Sequence, residues 1–478
     1  MSSDNVIVVG GGLAGLSCAI ALADAGCRVR LFEMRPHLGG RAASYALPDG
    51  AEIDNCQHLT LGCCTNLGDF YRRAGASEKI RFFDRLKFCD AEGRISRMAP
   101  SPLPAPLHLA GSFLRFRSLG AADKFRISRA LGEIVLRGGR PADARGVTML
   151  EWLRRRRQTP AAIERFWRVV LVSALDEELD RAEAQYGIDV FWKALLSNRD
   201  GFRFGLPTVP LGDLYAGCAD ALARRGGQIR TRMRARGFRV EEGRVRALAF
   251  DDGTEVTADA YVAAVPPGAL LDLLPAGTAE RYPVFGNLRN LRMSPITGVH
   301  LWFDRTVTPE PFLSLVGLTS QWVFNKTLLL AGPRGGGNQG GTGAGAALQY
   351  LQVVISASYD LVSRPRQEII ELVRSDLNRA LPVAREARLV KATVVKETAA
   401  TFSPAPGVDQ WRPPAESPIR QLFLAGDWTL TGWPATMEGA VRSGYQAAQA
   451  VLTLAGQRLT FLQPDLPPVG YLQMWARA

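Results

Sequence analysis

Histidines and metal-type cysteine spacings are scarce in this chain. Only four histidines occur in 478 residues: His37, His58, His108 and His300. The seven cysteines are Cys18, Cys27, Cys56, Cys63, Cys64, Cys89 and Cys218. They are odd in number and none forms a C-x-x-C pair, so no metal site and no disulfide framework is expected. A reduced, cytoplasmic setting fits that usage. Acidic residues are outnumbered, 46 against 58 basic ones, which leaves a formal charge of +12. Such an excess points to an anionic partner surface. No nucleic-acid motif is present, so nucleic acid is not expected and acidic lipid is. Long uncharged runs are scarce as well. Residues 6–23 carry no charge, but the run is only marginally long for a bilayer and no basic segment precedes it. Its glycines fall where a phosphate-binding turn needs them.

That run carries the main signal. Val6-Ile7-Val8-Val9 reads as a short buried strand. Gly10, Gly12 and Gly15 follow in G-x-G-x-x-G order, and Leu13, Ala14, Leu16, Ala19, Ile20 and Ala23 open and line a helix. Cys27 to Phe32 reads as a second strand ending at Glu33, eighteen residues past Gly15. Strand, glycine turn, helix, strand and acid make a dinucleotide fingerprint. Gly10 permits the turn, Gly12 admits a pyrophosphate, and Gly15 lets helix and strand pack closely. The helix N-terminus offers free N–H groups to phosphate, and Glu33 can accept from ribose hydroxyls. Met34 follows, and then Gly39-Gly40-Arg41 supplies a second turn with an arginine for phosphate or flavin.

Further along, Asp54-Asn55-Cys56-Gln57-His58 packs polar groups of every hydrogen-bonding type, and a helix spans Asn66 to Ala74. Pro100, Pro102, Pro104 and Pro106 predict a winding connection. Helices are expected over Ala121–Arg137, Leu150–Arg157 and Ala161–Leu175. The run Arg154 to Arg157 is a candidate for anionic headgroups, and Phe166, Trp167, Val170 and Leu171 are core or channel residues. A helix from Pro210 to Gly226 leads into strands around residues 228–256, and Ala258–Pro267 reads as a buried strand. Gly332 to Gly345 reads as a flexible loop. Strands are expected over 349–357 and Lys391–Lys396, with a helix over Gln367–Leu381 between them. Near the end, a strand from Leu422 ends at Gly426-Asp427, and after Thr436-Met437 a helix begins at Glu438-Gly439-Ala440. Asp427 can accept from ribitol hydroxyls, and the helix N-terminus can stabilise charge on a reduced flavin.

Together these motifs resemble the FAD-dependent amine oxidase and phytoene desaturase superfamily over nearly the whole chain. Several runs resemble one branch of it, the squalene-associated desaturase-like proteins or hydroxysqualene dehydroxylases. They are Asp54-Asn55-x-Gln57-His58, Leu103–Leu109, Val299–Asp304, Gln321–Lys326 and Ala425–Thr429. Cys56 stands where that branch usually has glycine. The resemblance implies an α/β fold with a Rossmann-like, glutathione-reductase-type FAD domain and an α+β substrate part. The FAD domain would comprise residues 1–85, 210–280 and 415–456. Residues 86–209 and 281–414 would form the substrate domain of helical cap and mixed sheet, with 457–478 as a tail. It implies non-covalent FAD, a long-chain isoprenoid substrate, an external electron donor, and peripheral attachment to the inner face of the cell membrane. The implied reaction is reductive removal of an allylic hydroxyl from hydroxysqualene. A carotenoid-type desaturase is the alternative. An amine oxidase is disfavoured by Thr436, where those enzymes place an aromatic, and by Asp304, where they place a lysine.

Dehydroxylation needs a proton donor, because hydroxide leaves poorly. His58 is the candidate, oriented and raised in pKa by Asp54. His108 and His300 are its rivals.

Overall fold

The computed structural model describes residues 5–330 and 348–474. The glycine-rich run 332–345 lies outside the described residues.

The N-terminal β-branched run forms the strand Asn5–Val9 at the centre of a five-stranded parallel sheet. The order across it is Gln228–Arg230, Arg28–Phe32, Asn5–Val9, Ala260–Ala263, Leu422–Leu424. Val8 pairs with Leu31 on one side and Val262 on the other. A parallel sheet covered on both faces requires continuous apolar strands, and Val6 to Val9 are all buried. The helices Leu13–Asp24 and Met437–Leu454 cross on this sheet. Gly444 makes their crossing possible, since a Cβ there would sit 2.1 Å from Ser17 Oγ and 2.3 Å from the Ala14 carbonyl oxygen. The uncharged run 6–23 is thus a strand, a turn and a helix. Among the described residues no helix is long and apolar enough to cross a membrane.

A seven-stranded sheet builds the second part. Its order is Leu389–Phe402, Met293–Phe303, Gln349–Ile355, Trp322–Asn325, Phe312–Val316, Leu86–Asp90, Ile95–Met98. All neighbours are antiparallel except Phe312–Val316 with Leu86–Asp90. The period-two alternation of a strand sorts its faces. Val323, Leu351 and Val353 pack under the helix Arg366–Ala380, beside Ile369, Val373 and Leu377. Trp322, Phe324 and Val354 point the other way, towards the cap and the cavity.

Helices between residues 107 and 202 form that cap. The expected helix over 161–175 is interrupted: Pro160–Ala162 passes through a π-type stretch, Ile163–Trp167, before continuing as Arg168–Leu175. A second π-type stretch, Phe191–Leu196, follows Ala184–Val190. The expected Lys391–Lys396 strand runs from Leu389 to Phe402, because its long pairing with Met293–Phe303 carries it through a half-exposed polar stretch. In the arginine run only Arg156 is partly withdrawn from solvent, while Arg154, Arg155 and Arg157 are exposed. The helix Met149–Arg155 ends within it, and Arg156 is tied to Glu133 and Asp143 with its guanidinium 3.7 Å above the Trp152 ring. Arg157 turns at φ +53° and its carbonyl accepts from Arg126 at 2.6 Å. Arg156 is therefore a packing residue and presents no charge to a headgroup. The tail folds back on the body, with Gln463 N–H donating to Asn66 and the Pro467 carbonyl accepting from Asn198.

Candidate functional site

A cavity of about 900 Å³ runs from the glycine turn of the parallel sheet to the apolar face of the seven-stranded sheet. Gly10, Gly12, Leu13, Ala14, Glu33 and Met34 line its nucleotide end, together with Gly39, Gly40 and Arg41. Gly426, Asp427, Thr436, Met437 and Ala440 close it from the C-terminal segment. Gly15 and Gly439 stand one layer back. A Cβ on Gly15 would meet the Gly10 carbonyl oxygen at 2.0 Å, and one on Gly439 the Pro434 oxygen at 2.7 Å.

These residues fit an FAD. Gly10 must be glycine for the protein's own sake, at φ +106° with Ala264 O 2.3 Å from a built Cβ. Gly12 is different. Its φ of −76° suits any residue, and a Cβ would meet nothing closer than Gly40 Cα at 3.9 Å. The space it leaves is a cradle open to a ligand, where the fingerprint puts pyrophosphate. Gly12 caps the helix Leu13–Asp24 without a side-chain bond, and no acid occupies the first turn, so its N–H groups face the cavity free to bind an anion. Glu33 ends its strand with the carboxylate held by the N–H groups of Gly11 (2.6 Å) and Arg35 (2.7 Å) at the cavity edge. This fixes an acceptor where ribose hydroxyls would lie. Arg41 pairs with Asp427 at 2.7 Å and donates to the Ala400 carbonyl. Burial works to lower the Arg41 pKa, but the Asp427 carboxylate outweighs it and holds it above the ordinary value.

Two further side chains support the flavin end, Arg412, which belongs to no motif, and Glu438 of the Met437–Ala440 run. Arg412 is buried and donates to the carbonyls of Asp427, Thr429 and Trp433, shaping the loop after Gly426. The Glu438 carboxylate accepts from the N–H groups of Asn66 and Leu67, capping the helix Thr65–Ala74 from the first turn of the C-terminal helix. Burial raises the Glu438 pKa.

Beyond the flavin end the wall is aromatic and aliphatic. Phe204, Trp322 and Phe324 form a stack, with centroids 5.4 Å and 6.0 Å apart. Phe88, on the strand Leu86–Asp90 of the same sheet, and Phe113 and Phe116, from the cap, also line the cavity. Of the residues expected as core or channel, Phe166 and Val170 line the cavity. Trp167 and Leu171 are core, the indole donating to Gln158 at 2.9 Å. Periodicity could not separate these pairs, because the π-type stretch at 163–167 shifts the helix face.

The expected acid pair does not form. His58 is at the cavity wall, but its Nδ1 donates to the Cys56 carbonyl at 3.0 Å. The Asp54 carboxylate belongs to a separate buried cluster, accepting from Lys326 Nζ (2.6 Å), Ser44 Oγ (2.6 Å) and Leu211 N (3.0 Å). Burial pushes the His58 pKa down, and Asp54 is too committed to Lys326 to reverse it. His300 bonds the Tyr350 hydroxyl at 2.6 Å and is pushed down to about 3, first by burial and then by Lys326. His108 is buried and also lowered. Burial thus disfavours the charged form of all three rings. Asp304 caps its strand on the outside, bonding the Arg388 N–H at 3.0 Å, and lies away from the cavity.

Sheet, glycine turn, paired C-terminal motif and apolar cavity define a dinucleotide-binding flavoprotein oxidoreductase, with FAD as its cofactor. The profile of the flavin containing amine oxidoreductase family matches residues 13–452, and the chain belongs to that family. Relatives include the zeta-carotene desaturase of Synechocystis sp., 28% identical over 94% of this chain and 97% of that protein. The 15-cis-phytoene desaturase of Narcissus pseudonarcissus is 29% identical over 94% of this chain and 79% of its own length. An oxidoreductase from Methanosarcina mazei shares the fold with a TM-score of 0.72 at 16% identity, over 95% of this chain and all of that one. Cyclohexylamine oxidase from Brevibacterium oxydans gives 0.65 at 18% identity, again over 95% of this chain and all of that one.

Proposed function

We propose that this protein moves a hydride between its flavin and a long, linear isoprenoid. The observation that carries the reading is the continuity of the cavity. One end has the glycine cradle and the Arg41–Asp427 pair, and the rest is an aromatic tunnel with few polar groups. A hydrocarbon chain can lie there with one bond at the flavin and water excluded. Of the two directions, desaturation of a carotene-type chain is the better supported. The relatives above carry that activity in their names.

Reductive dehydroxylation of hydroxysqualene to squalene is the second reading. Its support is a buried carboxyl in the tunnel wall, Asp176, which burial pushes up to about 8. Either direction needs an external redox partner to reset the flavin. Two anaerobic single-turnover experiments separate the readings. Flavin bleaching with phytoene or ζ-carotene in liposomes supports desaturation. Reoxidation of pre-reduced enzyme by hydroxysqualene, with squalene identified by mass spectrometry, supports the other. Silence in both overturns the isoprenoid reading.

Such a substrate comes from a bilayer, and the same proposal includes a docking face on anionic lipid. Leu107 lines the cavity and is 49% exposed, so it marks the mouth. Leu114 at 65% and Phe125 at 71% stand beside it, their segments joined by Lys124 Nζ donating to the Leu114 carbonyl at 2.8 Å. Arg115, Arg117, Arg126 and Arg129 are exposed on the same two segments. Exposed apolar side chains interleaved with arginines next to a tunnel-lining leucine suit a lipid surface.

A further inference from the structure

The helix Arg168–Leu175 ends at Asp176, which turns the chain at φ +52° in the left-handed region. Outside glycine that conformation is uncommon, and strain of this kind collects at functional sites. Asp176 is 3% exposed, and it lines the tunnel. Its Oδ1 accepts from the Ala357 N–H at 2.7 Å, and Ala357 is itself left-handed at φ +51°. Its Oδ2 lies 2.8 Å from Thr401 Oγ1, and Thr401 also lines the tunnel. Two residues in uncommon conformations thus hold one carboxyl against the space where a hydrocarbon would lie.

The groups around it supply no compensating charge. Glu177 stands next in the chain, its carboxylate accepting from the Tyr359 hydroxyl at 2.7 Å. Cys56 approaches from the loop that carries His58, its thiol pushed up to about 12 by burial, with Asp176 adding to the effect. Ser294 and Thr401 present neutral hydroxyls from their strands. No lysine or arginine pairs with Asp176 among the described residues. Burial pushes its carboxyl up to about 8, with Glu177 adding to the rise. The Ala357 N–H occupies Oδ1 and the Thr401 hydroxyl donates to Oδ2, so both carboxyl oxygens are held from neutral groups.

We propose that Asp176 is the acid–base residue that exchanges a proton with the isoprenoid at the tunnel wall, a role that rests on the isoprenoid reading above. In the oxidative direction, one substrate C–H bond breaks with its electron pair leaving as hydride to the flavin. A C–H bond on the adjacent carbon then breaks, its proton passing to ionised Asp176 and its electrons forming the new C=C bond. In the reductive direction, the Asp176 proton bonds to the hydroxyl oxygen and the C–O bond breaks with both electrons. Water departs, and the carbon is filled by hydride from the reduced flavin. A residue titrating near the working pH serves both directions.

Asp176→Asn is the test, because asparagine tolerates the left-handed turn and can still accept from Ala357. FAD content of the variant should match wild type. The infrared band of a protonated carboxylic acid should be present in FAD-loaded wild type at pH 7, fade through about pH 8, and be absent from the variant. Single-turnover flavin redox with the active substrate should slow by about 10²- to 10⁴-fold in Asp176→Asn and lose its pH dependence near 8. Asp176→Glu should recover part of the rate. A wild type without the infrared band, or a variant with an undiminished rate, overturns the role of Asp176 alone. A wild type that exchanges electrons with no isoprenoid overturns the functional reading and this role together.

Discussion

At the scale of single residues, the site is built from acceptors held in place before any ligand arrives. Glu33 is the clearest. Two backbone N–H groups fix its carboxylate at 2.6 and 2.7 Å, so little ordering is left to accomplish when a ribose docks. Hydrogen bonds to a charged group are worth about 1.5–3 kcal/mol. Glu33→Gln should therefore weaken FAD binding by about 10- to 100-fold, read by flavin fluorescence on titrating the apoprotein. Unchanged affinity would mean that Glu33 only braces the turn. Buried titratable residues make a second prediction. His300 is pushed from 6.5 down to about 3, so the unfolded chain takes up a proton that the folded one refuses. Its stabilising share is complete above pH 6.5 and is lost as pH falls towards 3. Asp176 acts oppositely. Its carboxyl is raised from 3.8 to about 8, so the folded protein keeps a proton that the unfolded chain has released. Stability from that proton is complete below 3.8 and is lost as pH rises towards 8. Asp176→Asn should then melt at or above wild type at pH 8, with the gap closing towards pH 4. A variant that melts well below wild type at pH 8 would show that the carboxylate is held ionised. A residue whose replacement raises stability and removes turnover is the signature of a strained catalytic group.

At the scale of elements, two glycines of one turn separate packing from binding. A Cβ at Gly15 would lie 2.0 Å from the Gly10 carbonyl oxygen, whereas one at Gly12 would enter open space. Gly15→Ala should destabilise the apoprotein by about 1–3 kcal/mol, the usual cost of overpacking. Gly12→Ala should leave apoprotein melting unchanged and abolish flavin retention. Equal melting losses in the two variants would refute the cradle. The elements legible from sequence were those with local causes: β-branched strand, glycine turn and acid at one end of the chain, Gly426-Asp427 and a helix start at the other. What escaped depends on partners far along the chain. The strand Leu389–Phe402 continues through Lys396-Glu397-Thr398 because Met293–Phe303 pairs with it, not because those residues alternate cleanly. Asp54 carries the same polar signal whether it faces His58 or Lys326, and Lys326 lies 272 positions away. Asp176 and Arg412 matter through burial, which no short window displays.

At the scale of the whole molecule, the proposed docking face would give the formal charge of +12 a direction. Arg154 to Arg157 were the candidates for lipid contact, but Arg156 is spent on Glu133, Asp143 and the Trp152 ring. The tunnel mouth offers exposed apolar side chains as well as arginines, and apolar burial is the larger contribution. Burying a phenylalanine or leucine side chain yields about 1.5–3 kcal/mol, while each arginine near an anionic bilayer adds about 1 kcal/mol and less in salt. Leu114→Glu with Phe125→Glu should cut partitioning onto anionic vesicles by about 100-fold or more. Arg154→Glu with Arg155→Glu, outside the mouth, should change it little. Vesicle cosedimentation measures the partitioning, and substrate delivery supplies the functional check. Flavin redox with liposomal isoprenoid should collapse in the mouth variant, whereas substrate in detergent micelles should be turned over normally, because the tunnel beyond Leu107 is untouched. Normal turnover from liposomes would place the entry for substrate elsewhere on the surface.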